Sequence, residues 1–156
     1  MARGLSLTNM NREKFNGRWE GTFKYGKGYP NNIRGTKRAF SMELVFDGDR
    51  IRGTCEDVYT REFFNKPALV TGEYKGGYIK FSKHYPGLMY ADENMQTIVI
   101  PDQPSLDIVY TGYFSKSIFS RALLFRGEWS IAQAFVNEQG PFELTVYGTW
   151  VMKKVD

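Results

Sequence analysis

The sequence has little of the chemistry on which most enzymes and disulfide scaffolds depend. Its 156 residues include one cysteine, Cys55, and one histidine, His84. A single cysteine excludes an intrachain disulfide, so disulfide bridges do not hold this chain together. No cysteine and histidine spacing suits zinc, and the glycine-rich phosphate loop and the Gly-x-Ser-x-Gly nucleophile motif are absent. These absences favour a protein that is not an enzyme and that uses no metal or cofactor.

Long apolar runs and a one-sided charge are also missing. No window approaches the length that spans a bilayer, and residues 1–15 lack the apolar core of a secretory signal. The 21 Lys and Arg residues are scattered among 17 Asp and Glu residues. We therefore interpret the basic groups, Lys75, Lys80 and Lys83 among them, as solvated surface rather than a nucleic-acid footprint. We expect a cytoplasmic protein with no membrane span and no nucleic-acid partner; a secreted mature form is the alternative.

Aromatic residues and glycines inside apolar segments are abundant by contrast. In several segments an apolar or aromatic residue stands two positions before a glycine, and usually another stands two positions after it. These segments are centred on Gly21, Gly53, Gly72, Gly112 and Gly127. Because strand side chains alternate, the apolar positions share one face. A glycine inside a strand marks a bend or a close approach of backbones, as in small barrels.

Alternation of this kind predicts an all-β protein with eight main strands. It is clearest at Phe40, Met42, Leu44 and Phe46, whereas helical periodicity is missing throughout. The predicted strands are 17–25, 37–46, 50–59, 68–74, 78–83, 107–115, 123–135 and 142–153. Their simple order predicts one antiparallel up-and-down barrel domain over residues 15–154, after a flexible arm at residues 1–14.

The connection over residues 85–105 is unusually long for a compact domain. It contains prolines and a short apolar run, Thr97–Ile100, which we predict to be a minor strand. Long connections of this kind are typically lids or binding loops, because rigid scaffolds carry function on their loops. We expect any ligand to pass near this connection; the alternative is a plug that seals a filled barrel.

The barrel interior is the candidate binding site. An eight-stranded barrel is either filled by side chains or wide enough for one small ligand, and the sequence leaves both alternatives open. By alternation the interior is lined by Trp19, Phe23, Phe40, Met42, Leu44, Phe46, Val70, Tyr74, Phe81, Tyr110, Phe114, Phe125, Trp129, Phe142, Leu144 and Trp150. Such walls suit a mainly apolar or planar ligand. The candidate ligand-binding residues are Tyr74, Tyr110, Trp129, Phe114 and Asp57.

Alternation also places the less common polar groups. Asp57 points inward near a strand end, either as a polar anchor or as a rim residue. Cys55 points inward and is interpreted as a buried, inert thiol. His84 points outward, which favours a surface residue over a catalytic one.

The opening segment Phe15-Asn16-Gly17-Arg18-Trp19 carries a Gly-x-Trp motif, and the segments 70–74 and 126–129 are similar to avidin-type strands. In these features the chain resembles the calycin superfamily of lipocalin-like and avidin-like barrels. The resemblance implies an up-and-down barrel that binds a ligand without catalysis. It also implies a structural role for Trp19, covered by Lys153 or Lys154 at the end of the last strand. It does not identify the ligand.

Two functions of different kinds fit these observations. The first is a non-catalytic binding protein for a small, mainly apolar or planar ligand. The second is a filled barrel that serves as an interaction or structural domain. The outward positions of Val109, Tyr113, Tyr147 and Val151 are apolar for a solvated face, which favours a homo-oligomer.

Overall fold

The computed structural model describes residues 12–91 and 96–155. Its strands are β1 (Gly17–Tyr25), β2 (Lys37–Asp47), β3 (Arg50–Asp57), β4 (Ala68–Lys75), β5 (Tyr78–His84), β6 (Leu88–Ala91), β7 (Thr97–Ile100), β8 (Ile108–Lys116), β9 (Leu123–Asn137) and β10 (Gly140–Lys154). Eight of them form a closed antiparallel barrel in the spatial order β1-β10-β9-β8-β5-β4-β3-β2, and β6 pairs with β7 as a separate hairpin. The predicted up-and-down barrel is confirmed.

Every predicted barrel strand lies within two residues of an observed one at both ends. The third strand is the instructive difference, since it stops at Asp57 rather than at Tyr59. The Asp57 carboxylate accepts hydrogen bonds from the backbone N–H groups of Tyr59 and Thr60, and the Asp57 N–H donates to the Thr60 hydroxyl. Local bonds of this kind compete with strand pairing. They turn the chain into a single π-helical turn, Thr60–Phe64.

One end of the barrel is closed by aromatic side chains. The ring of Phe15, just before β1, lies at the centre of this cluster, 5.2 Å from the rings of both Phe46 and Tyr74. Arg12 holds the preceding helical turn in place, because its guanidinium donates to the Tyr74 carbonyl at 2.8 Å and to the Asp49 carboxylate at 2.9 Å. Residues 12–14 of the predicted arm therefore contact the barrel, whereas residues 1–11 lie outside the described residues.

Trp19 is fully buried at this closed end, as predicted. Its indole N–H donates to the Phe15 carbonyl at 2.9 Å, and its ring lies 5.2 Å from that of Phe125. Lys154 lies opposite Trp19 in the β1–β10 register, and the expected cover of the Trp19 ring by Lys153 or Lys154 stays a prediction. Among the described residues, the cations over closed-end rings are Arg12, 5.0 Å from the Tyr74 centroid, and Lys14, which lies over Phe15 and Phe114. Both of these cations belong to the segment of chain that precedes β1.

The strand glycines mark close backbone approach, also as predicted. Gly127 faces Gly112 across the β8–β9 pair, and a Cβ on Gly127 would collide with the Thr111 carbonyl. A Cβ on Gly148 would collide with the indole of Trp129, its partner on β9. The glycines therefore provide the space into which the large interior rings fit. Within the described ranges, no helix is long and apolar enough to cross a membrane.

Candidate functional site

The opposite end of the barrel contains a cavity of about 1110 Å³. It lies between the β1–β2 loop (26–36), the β3–β4 connection (58–67) and the β6–β7 hairpin. Its walls include Tyr29, Tyr110, Trp129 and Ile131. This volume lies just above the usual range for small-molecule sites, roughly 300–1,000 Å³. The barrel is thus filled at its closed end and hollow at its open end, which answers the question that the sequence left open.

One wall of the cavity is a group of three aromatic rings. Tyr25 lies 4.8 Å from Tyr29 and 6.0 Å from Trp129, in edge-to-face geometry. The Trp129 indole N–H donates to the Thr149 carbonyl at 3.2 Å, which fixes the ring. The Tyr25 hydroxyl is hydrogen-bonded to that of Tyr59. Burial raises the pKa of Tyr25 and the pKa of Tyr29, so both phenols stay neutral. A fixed wall of neutral rings suits a flat apolar group.

The floor of the cavity is polar, and Lys83 is its central residue. Only 1% of Lys83 is exposed, and its ammonium lies 3.2 Å from the Asp57 carboxylate. The ammonium also lies over the rings of Phe23, Tyr85 and Tyr110, at 4.9–5.4 Å from their centroids. The interpretation of Lys83 as surface charge is therefore wrong. The alternation that places His84 outside places Lys83 inside, so the signal was present in the sequence.

Asp57 is completely buried beneath this floor, so the rim interpretation is wrong. One carboxylate oxygen accepts the backbone N–H groups of Tyr59 and Thr60 at 2.9 and 3.0 Å. The other accepts the Lys83 ammonium at 3.2 Å and the Tyr85 hydroxyl at 2.5 Å. Because a carboxylate offers about four acceptor positions, Asp57 is saturated by the protein itself. It holds the floor together and has no acceptor left for a ligand.

The ionisation of the floor follows from its surroundings. Burial alone would lower the pKa of Lys83, but the Asp57 carboxylate beside it favours the ammonium, and the pKa of Lys83 lies well above its usual value. Burial raises the pKa of Tyr85 and the pKa of Tyr110. The floor at neutral pH is therefore an ammonium paired with a carboxylate, surrounded by neutral phenols.

The structure separates the predicted ligand-binding residues into two groups. Tyr110 and Trp129 line the cavity, and Asp57 lies below its floor. Tyr74 and Phe114 lie instead at the closed end, 5.2 and 5.3 Å from the ring of Phe15. They do not line this cavity, because alternation assigns a residue to the interior but not to one end of it.

Two other predicted interior positions, Phe142 and Leu144, lie on β10. Leu144 lines the cavity close to its mouth, where it is partly exposed. The side chain of Phe142 lies outside the described residues.

The long connection does border the cavity. It contains the predicted minor strand at Thr97–Ile100, which pairs with Leu88–Ala91, while residues 92–95 lie outside the described residues. Met89, Tyr90 and Thr97 contribute to the cavity wall. Tyr29 was missed as a site residue because its loop has no alternation from which to infer direction. Tyr59 was missed although it ends the predicted strand 50–59, where the inward alternation of Cys55 and Asp57 extends to it.

Cys55 is buried beside the floor and provides a direct test of its environment. Burial outweighs the nearby Lys83 ammonium and raises the pKa of the Cys55 thiol to about 12. Because the thiolate is the reactive form, we expect no maleimide labelling of the folded protein near pH 8 and complete labelling in denaturant, measured by mass spectrometry. Native labelling at the rate of a free thiol would contradict the burial of Cys55.

His84 lies on the outer surface, as predicted, and its Nε2 is hydrogen-bonded to the Asp107 carboxylate. Among the described residues, no group of three or more His, Cys, Asp or Glu residues could hold a metal ion.

The outward apolar residues are separated by polar side chains. Tyr113 and Val151 each pair with Arg126 of β9, and Val109 and Tyr147 each pair with Ser130. The predicted homo-oligomer stays a prediction.

No known protein family matches the sequence, and no curated protein matches it. Among solved structures, a rhizavidin–biotin complex is 15% identical, with 87% of this chain and 99% of that chain covered and a TM-score of 0.47. A short afifavidin–biotin complex is 14% identical, with 93% and 98% covered and a TM-score of 0.46. The closed barrel of eight antiparallel strands has the architecture that the calycin resemblance implies.

Proposed function

We propose that this protein is a non-catalytic binding protein that holds a small, mainly apolar or planar ligand in the cavity at the open end of its barrel. The observation that carries the proposal is a cavity of about 1110 Å³ whose walls are mostly aromatic and aliphatic. Sites for small molecules are concave, largely apolar and few in each protein. The closed end gives this cavity a floor, so a ligand enters and leaves at one side.

The walls are rigid enough to bind without rearrangement. Trp129 is fixed by its hydrogen bond to Thr149, and Tyr110 stacks on Phe81 with ring centroids 4.8 Å apart. Fixed rings lose little side-chain entropy when a ligand is bound, and a preformed site therefore keeps more of its contact energy as affinity. Flat aromatic surfaces also favour flat ligands.

The reactive groups of the described residues support binding rather than catalysis. The Cys55 thiol stays protonated because it is buried. The Lys83 amine is an ammonium paired with Asp57, so it has no lone pair with which to attack a substrate. His84 lies on the outside, paired with Asp107, and does not border the cavity.

The test is a titration with N-phenylnaphthylamine, a neutral apolar fluorophore. We expect saturable fluorescence enhancement with one site per chain, and an affinity that falls about tenfold or more in Trp129→Ala, because that variant removes a buried ring from the wall. Tyr113→Ala is the matched control, since Tyr113 is exposed on the outer face, and it should bind like the unmodified protein.

Absence of saturable binding, or binding that Trp129→Ala leaves unchanged, would contradict the proposed site. The alternative of an interaction domain would then be favoured, with Ile118 and Phe119 as the exposed apolar pair on the β8–β9 loop. Displacement of the fluorophore by biotin, the ligand of the two complexes named above, would identify one occupant of the cavity.

A further inference from the structure

The cavity floor presents hydrogen-bond donors that the protein itself does not use. The Lys83 ammonium carries three N–H donors, and in the described part of the chain its hydrogen-bond partner is the Asp57 carboxylate at 3.2 Å. Tyr110 borders the same cavity, with its ring centroid 5.4 Å from the ammonium, so its O–H group is a further donor at the floor. Two N–H groups of Lys83 and the O–H of Tyr110 therefore remain for a ligand.

The carboxylate acceptors, by contrast, are used up at the same place. Both oxygens of Asp57 are saturated by two backbone N–H groups, the Lys83 ammonium and the Tyr85 hydroxyl. The Tyr85 proton is committed to Asp57. The inner end of a ligand thus meets donors and no free carboxylate.

The charge of the floor restricts the ligand further. Lys83 and Asp57 are both almost completely buried and neutralise each other. A ligand carboxylate would add a second negative charge close to Asp57 in a site shielded from water, where repulsion between like charges is strong. A ligand cation would be repelled by the Lys83 ammonium in the same way. A neutral acceptor causes neither conflict.

We propose, on the basis of the binding function above, that the floor selects ligands whose inner end is a neutral carbonyl or amide oxygen. This oxygen accepts from the Lys83 ammonium and the Tyr110 hydroxyl, while the apolar remainder of the ligand lies against Tyr29 and Trp129. Lys83 and Tyr110 determine specificity, and Asp57 is a positioning residue that acts through Lys83.

The experiment measures displacement of N-phenylnaphthylamine by three naphthalenes of similar size. Naphthyl methyl ketone carries the neutral carbonyl, ethylnaphthalene lacks it, and naphthoate carries a charged carboxylate. Hydrogen bonds to charged groups are stronger than average, so we expect the ketone to bind about tenfold or more tightly than ethylnaphthalene. Naphthoate should bind more weakly than the ketone.

Variants of the floor residues test whether these residues cause the tighter binding of the ketone. The double variant Lys83→Met, Asp57→Asn removes the ammonium without leaving a buried carboxylate unpaired; it should keep the fluorophore site and lose the ketone advantage. Tyr110→Phe should reduce this advantage in part, and it leaves the ion pair intact if the double variant does not fold. Lys80→Met, at an exposed position of the same strand, is the matched control and should keep the full advantage.

The possible outcomes separate this inference from the proposed function. Fluorophore binding without any ketone advantage overturns the inference and leaves the binding function standing. Tighter binding of naphthoate than of the ketone overturns the requirement for a neutral oxygen. A ketone advantage that survives both Tyr110→Phe and the double variant overturns the assignment to the floor. Failure of the fluorophore and of all three naphthalenes to bind contradicts the function and the inference together.

Discussion

Trp19→Ala is expected to lower the free energy of unfolding by about 3–5 kcal/mol, the usual cost of truncating a large buried aromatic residue. Trp19 is completely buried, and its ring contacts those of Phe15 and Phe125. Truncation would open a void at the closed end, where close packing leaves little room for collapse. It would also leave the Phe15 carbonyl without the indole N–H that it now accepts.

Urea unfolding followed by fluorescence and by circular dichroism measures this effect. Phe119→Ala is the matched control, because Phe119 is an aromatic residue that is 98% exposed. The control should change stability by less than about 0.5 kcal/mol, as most surface substitutions do. If Trp19→Ala cost less than about 1 kcal/mol, the closed end would not be the packed core described above.

Asp57→Ala is expected to destabilise the fold by about 3–5 kcal/mol, as is usual when one partner of a buried ion pair is removed. The variant leaves the Lys83 ammonium buried without its counter-ion and leaves two backbone N–H groups at the start of the π-helical turn without their acceptor. The double variant Lys83→Met, Asp57→Asn should recover a large part of this loss. Equal losses in the two variants would contradict the role given to the ion pair.

The pH dependence of the free energy of unfolding distinguishes Lys83 paired with Asp57 from Lys83 without this counter-ion. In the native protein the pKa of Lys83 is raised, so its stabilising contribution is complete below the unfolded pKa and is lost as pH rises through the folded pKa. Without Asp57, burial dominates and lowers the folded pKa, so the unfolded state binds more protons. The stability gap between Asp57→Ala and the unmodified protein should therefore narrow between about pH 7 and about pH 9.5. A constant gap would indicate that Lys83 is not buried as an ammonium.

Local alternation was enough to predict most of the fold. Apolar residues at every second position of β2, from Phe40 to Phe46, fixed its inward face, and the Gly76-Gly77 turn fixed the pairing of β4 with β5. What alternation could not give is the position of a residue along the barrel axis. Tyr74 and Tyr110 both point inward, yet one lies in the closed-end cluster and the other in the cavity wall, because strand register and turn position decide the level.

The polar floor was missed for a different reason. A lysine is normally excluded from the interior because its desolvation is costly, and only a counter-ion offsets this cost. The counter-ion of Lys83 is Asp57, which lies 26 positions away in sequence and reaches it across β4. Alternation placed both residues inside, but their pairing depends on a tertiary contact that one sequence does not reveal.

A crystal structure of the protein grown with naphthyl methyl ketone tests the central claim most directly. The account predicts one ligand in the cavity, with its rings against Tyr29 and Trp129 and its carbonyl oxygen within hydrogen-bond distance of the Lys83 ammonium. A cavity closed by protein side chains, or a ligand found only on the outer surface of the barrel, would contradict it.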